Sequence, residues 1–155
     1  MKIIRSSLSA VAIAISFQSH ACSVFLQDTI QLPSNSEEIS NSDRLAITRH
    51  YLIAREWTEE GTSVEVDVAA FESECNPRAL AALRAENIKT FLMQLGLDKN
   101  DIHVSERIIK LNNGQINPDD RWQIGIEFSP KCPPMGCDYL CNTPKASPEG
   151  PEQRE

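Results

Sequence analysis

The sequence predicts an α+β domain in which two helices lie on one face of a mixed sheet, with elements in the order β-α-β-α-β-β. Three stretches carry that prediction. Between residues 63 and 70, Val64, Val66 and Val68 alternate with Glu65 and Asp67, the period of a strand with one buried face. A polar turn of Glu72, Ser73, Glu74 and Cys75 then leads into a long amphipathic helix that opens at Asn76-Pro77 and closes at Gly96. Near the end of the chain, Trp122, Ile124, Ile126 and Phe128 alternate with Gln123, Gly125 and Glu127, which reads as a further strand. Strand, tight turn and helix make half of a βαβ unit, and ligands of such units sit at the turn, where helix N–H groups point outward.

Taken in order, the chain begins with residues that do not belong to the domain. Lys2 and Arg5 form a basic start, residues 8–17 an apolar run, and Ser19 and Ala21 the small residues before a cleavage site. The apolar run is too short to span a membrane, so residues 1–21 read as an export signal. Residues 22–129 form the domain. Its first strand is expected over residues 23–32 and is broken by Pro33-Ser34-Asn35-Ser36. The first helix is expected over residues 42–58, with Ser42 as N-cap, Asp43 in the first turn, and a buried face of Ala46, Ile47, His50, Ile53, Ala54 and Trp57.

In the long helix, Asn76 is placed to accept a backbone N–H as N-cap, and Pro77 at the first helical position gives up a donor that has no intrahelical partner. Leu80, Ala81, Ala85, Ile88, Phe91, Leu92 and Leu95 form its apolar stripe, and Gly96 supplies a left-handed cap. A strand over residues 102–111 follows. Asn112-Asn113-Gly114 and Asn117-Pro118-Asp119-Asp120 are turn signals before the last strand. Residues 130–155 differ in kind: six of the nine prolines and three of the five cysteines lie there, without apolar periodicity. Residues 132–141 read as a disulfide-pinned appendage and residues 142–155 as disordered.

Losing Lys2 and Arg5, two positive charges, takes the formal net charge from −7 to −9. So acidic a chain, with no basic cluster, is a poor partner for nucleic acid or anionic lipid, both of which bind through lysine and arginine. Only six glycines are present and no glycine-rich phosphate loop, nucleophile motif or dinucleotide fingerprint occurs, so neither catalysis nor a cofactor is expected. Carboxylate pairs invite a glycosidase reading, but aromatics are only 6% of the chain, too few for a substrate groove. His50 is expected in the core and His103 outside, with no histidine-carboxylate cluster for a metal.

In an oxidising compartment, Cys75, Cys132, Cys137 and Cys141 form an even set for two disulfides, with three pairings open and Cys75 favoured as tied to the tail. Cys22 is then the odd cysteine, directly after the cleavage point, which suggests a lipid-anchored amino terminus. Against this, the residues before it are Ser19, His20 and Ala21, whereas a lipoprotein box has an apolar residue at the first of these positions.

The ordered set of Ser36-Glu37-Glu38-Ile39, the Val64, Val66, Val68 strand, Asn76 with Leu80, Arg84-Ala85 and Ile88, Leu95-Gly96-Leu97 with Ile102, and Arg121 with Ile124 resembles the OmpA-like domain family. These periplasmic modules hold outer-membrane proteins and lipoproteins to peptidoglycan, and the likeness spans residues 30–128. It implies a two-layer sandwich, a periplasmic location in a Gram-negative bacterium, outer-membrane anchoring if Cys22 is lipidated, and non-covalent binding of a peptidoglycan stem peptide. The sequence departs from the family at its site: the usual Thr-Asp pair and glycine-containing loop are replaced by the short segment Phe71-Glu72-Ser73-Glu74-Cys75. In the family that Asp and the Arg of the Arg-Ala pair bind the diaminopimelate of the stem peptide, and Arg84 alone carries over.

The resemblance thus nominates Arg84 for a ligand carboxylate, with Glu72, Ser73, Glu74 and Asn76 of the turn as the remaining contacts. Each has a plainer reading. Arg84 could be a surface arginine paired with Glu86 or Glu106, and Glu72 with Glu74 a solvated acidic turn. The alternative function is an OmpA-like domain that has lost the wall site and serves as a structural or protein-interaction module of the envelope.

Overall fold

A computed structural model describes residues 24–111, 120–134 and 136–141. The export signal over residues 1–21, Cys22, the turn at Asn112-Asn113-Gly114, most of the turn at 117–120 and the expected disorder of residues 142–155 lie outside the described residues.

The sheet has four strands, β1 (Leu26–Ile30), β2 (Thr62–Phe71), β3 (Ile102–Ile109) and β4 (Ile124–Pro130), in the spatial order β1-β4-β2-β3. β2 runs parallel to β3 and antiparallel to β4, and β4 runs antiparallel to β1, so the sheet is mixed as the sequence predicts. The parallel pair requires a crossover, which is made by α2 (Pro77–Gln94). The other long helix, α1 (Asn41–Ala54), connects β1 to β2. A 3-10 turn over Lys99–Asp101 precedes β3, and a single helical turn, α3 (Asp138–Cys141), ends the described chain.

One layer of side chains unites sheet and helices. Val64, Val66 and Val68 of β2 and Ile124, Ile126 and Phe128 of β4 are buried against Ile47 and Ala54 of α1 and Ile88 and Leu92 of α2. The Tyr51 ring lies 6.4 Å from that of Phe128. At the end of α2 the Leu97 N–H reaches the Leu92 carbonyl and the Gly96 N–H that of Met93, the paired bonds of a Schellman cap. Gly96 has φ +103°, a conformation costly for any residue with a Cβ, so the expected glycine cap is present for the expected reason.

Several boundaries and faces differ from expectation. α1 starts earlier: Ser40, not Ser42, is the N-cap, its hydroxyl accepting the Asp43 N–H at 3.2 Å. The helix also stops at Ala54 rather than Thr58. Its inner face is Ile47, Tyr51 and Ala54, while Ile53 is 47% exposed and His50 is half-buried, its Nδ1 2.7 Å from the Asp28 carboxylate of β1. The Ile53 assignment failed because a run of apolar residues at 52–54 fits two helix faces equally, and only contact with the sheet chooses between them. Asn76 precedes α2 but does not cap it with its side chain. It sits at φ 46°, ψ 62°, in the left-handed region that asparagine tolerates better than most residues. Trp122 lies before β4 and is 36% exposed.

The cysteine pairing also needs correction. Cys132 is bonded to Cys137 and Cys141 is also disulfide-bonded, but Cys75 is free and exposed. Sheet topology explains this. Pro130, where the tail begins, pairs with Thr62 at the start of β2, whereas Cys75 follows Phe71 at its end. At about 3.3 Å per residue, β2 holds the two some 30 Å apart. Among the described residues Cys75 is the unpaired cysteine, so the parity argument that singled out Cys22 for lipid attachment no longer holds.

Candidate functional site

The turn between β2 and α2 brings the nominated residues together, but turns two of them inward. Arg84 lies on the buried stripe of α2, between Ala81 and Ile88, and none of its surface is exposed. Glu74 is also buried, at 5% exposure. The two side chains meet in a bidentate pair, Arg84 Nη2 donating to Glu74 Oε1 at 2.7 Å and Nη1 to Oε2 at 3.0 Å. Arg84 Nη1 also donates to the Ala69 carbonyl at 2.9 Å, and Nε to the Ser36 carbonyl at 2.8 Å.

Glu74 is equally engaged. Its Oε1 accepts the Asn35 N–H and its Oε2 the Phe71 N–H, both at 2.8 Å. The Asn35 side-chain carbonyl accepts the Cys75 N–H at 2.6 Å, so the segment after β1 and the turn after β2 are joined in both directions. Burial pushes the Glu74 carboxyl up, but the Arg84 hydrogen bonds, the two backbone N–H groups and the Arg84 charge outweigh it and hold the group below its ordinary value of 4.5. A carboxylate held ionised in this way is suited neither to donate nor to abstract a proton near neutrality.

The other nominated residues stay outside. Glu72, Ser73 and Asn76 are exposed on the same turn, and Glu72 accepts the Leu111 N–H at 2.8 Å. Arg84 is therefore not a surface arginine, and its partner is neither Glu86 nor Glu106, both of which are exposed. The expected solvated acidic turn is solvated at Glu72 only.

Sequence reasoning missed Asn35 and Ser36, which the topology delivers from a segment almost fifty residues away from Arg84 in the chain. A signal was available for the pair itself: an arginine at a core position of a helix stripe demands an internal countercharge, and Glu74 is the acidic residue of the turn that points back. On the opposite face of the sheet, Arg107 is bound by Asp67 at 2.6 Å and Asp120 at 2.7 Å. Among the described residues no group of His, Cys, Asp and Glu side chains is disposed to hold a metal ion, and no helix is long and apolar enough to cross a membrane.

No protein-family profile matches the sequence, and no curated protein is significantly similar to it. Solved structures are similar. The periplasmic domain of Helicobacter pylori MotB superposes with a TM-score of 0.50 at 18% identity, over 73% of this chain and 84% of that one. A C-terminal MotB domain from the same organism gives 0.49 at 21% identity over 68% and 87%, and the OmpA-like domain of Francisella tularensis FopA1 gives 0.48 at 17% over 68% and 72%. At these identities the likeness concerns fold. The chain has the α+β architecture of the MotB periplasmic domain.

Proposed function

We propose, with the OmpA-like fold as premise, that this protein is a non-catalytic module of the bacterial cell envelope that acts by contact with another envelope protein, its ancestral ligand position being closed by Glu74. One observation carries the reading: the buried, bidentate Arg84–Glu74 pair puts an internal carboxylate where the family resemblance calls for a ligand's. A stem-peptide carboxylate would have to displace a tethered competitor held by two backbone N–H groups, and would then leave Glu74 charged and without its partner. The shortened loop supports the same reading, because it brings Glu74 back onto α2. The envelope setting is supported by the export-signal pattern of residues 1–21 and by the fold shared with a periplasmic domain.

Wall binding is the reading this replaces, and one experiment separates the two. The purified protein is co-sedimented with insoluble peptidoglycan, with and without free diaminopimelate, beside Arg84→Ala and the paired Arg84→Met/Glu74→Leu variant. Folding is checked by circular dichroism. The wild type is expected to stay in the supernatant. Sedimentation that diaminopimelate abolishes, and that the folded paired variant lacks, would restore the wall-binding reading with Arg84 as its anchor.

A further inference from the structure

The geometry points to the open face of the sheet, opposite α1 and α2, as a docking surface for an arginine side chain presented by another protein. Across the four strands, one register row on this face reads Gln27, Glu127, Glu65, His103. Glu65 and Glu127 are direct cross-strand partners, an arrangement that destabilises a sheet when like charges face each other. Among the described residues neither forms an ion pair with a lysine or arginine of this chain.

The same face shows how such a pair is satisfied. Asp67, in the next row, and Asp120 are bridged by the Arg107 guanidinium, which spends one edge on each carboxylate. Arg107 is thereby committed, and its charge does not serve Glu65 and Glu127. These two line a depression of about 400 Å³ together with Asp67, His103, Arg107 and Trp122. Its floor is kept low by Gly125, which pairs with Asp67 and carries no side chain. Trp122, 36% exposed, belongs to the same lining and adds an aromatic side chain, a residue type that attracts cations. A planar guanidinium with two donor edges fits two adjacent carboxylates beside an indole better than the point charge of an ammonium does. The overall acidity of the chain draws a cationic partner toward this face.

This inference supplies the partner chemistry for the protein-contact reading above, yet it uses the face of the sheet remote from Arg84, so each stands or falls by its own measurement. The probe is a synthetic Thr-Arg-Thr-Arg-Thr peptide, titrated calorimetrically into the whole mature protein at low ionic strength, beside the same peptide with citrulline for arginine. The arginine peptide is expected to bind, and the citrulline peptide to bind at least tenfold more weakly. The Glu65→Gln/Glu127→Gln variant is expected to lose tenfold or more in affinity while melting no lower than the wild type, since it relieves a repulsion. Glu59→Gln/Glu60→Gln, an equal change of charge at exposed positions elsewhere, should leave affinity unchanged. Absence of binding by the wild type, or equal losses in the two paired variants, would overturn the assignment.

Discussion

Arg84 and Glu74 are ten residues apart, on different elements, and form a fully buried bidentate ion pair at the junction of β2, α2 and the segment after β1. The pair makes six hydrogen bonds at that junction: two between its own side chains, and one each with the carbonyls of Ser36 and Ala69 and the N–H groups of Asn35 and Phe71. Its role follows from an asymmetry. An intact buried pair adds little net stability, but a broken one leaves a charge in a low-dielectric interior.

Glu74→Ala is therefore expected to destabilise the domain by about 3–5 kcal/mol, read as a shift of the urea midpoint. Arg84→Met/Glu74→Leu should recover most of that loss, because no charge is left buried. If Glu74→Ala and Arg84→Ala both unfold within about 0.5 kcal/mol of the wild type, the pair is not a structural clamp.

Acid should act through the same carboxylate. The folded-state pKa of Glu74 lies below its ordinary value of 4.5, so its contribution is fully present above that value and is lost as the pH falls through the lower, folded-state value. Melting temperatures followed from pH 6 downward should fall along this limb in the wild type. In Glu74→Gln, less stable throughout, the fall should be shallower.

The two faces of α1 make opposite predictions for neighbouring isoleucines. Ile47 is fully buried and its truncation to Ala should cost about 2–4 kcal/mol, whereas Ile53, 47% exposed, should tolerate the same change within about 0.5 kcal/mol. Equal costs would mean that α1 is rotated about its axis relative to the arrangement described.

A maleimide applied to the native, unreduced protein should label Cys75 and leave Cys132 and Cys137 untouched until a reductant is added. Peptide mapping reads this directly. Protection of Cys75 without reductant would indicate a disulfide or a contact that this arrangement does not contain.

Much of the fold is legible in the sequence. The alternation of Val64, Val66 and Val68, the stripe from Leu80 to Leu92 and the cap at Gly96 appear where they were expected, because each is a property of consecutive residues and of the periods 2 and 3.6. The N-caps were read less well. Ser40 and Ser42 are both chemically able to cap, and the hydroxyls of the two lie only 2.7 Å apart, so composition could not separate them.

What no local pattern contained is the order β1-β4-β2-β3 and the meetings that follow from it. Placing β4 antiparallel to β2 carries the cysteine tail to the far end of the sheet from Cys75, brings Gln123 to the backbone of Leu32 across 91 residues of chain, and sets Glu127 opposite Glu65. The inward turn of Glu74 is of the same kind. A glutamate in a polar turn is ordinarily solvated, and it is drawn inside here only because α2 presents an arginine at a core position while the chain after β1 closes over both. Periodicity is written along the chain, and so element types and buried faces could be read from it. Charge partners and open surfaces are decided by which segments the sheet brings side by side, and that is settled only when the whole core packs.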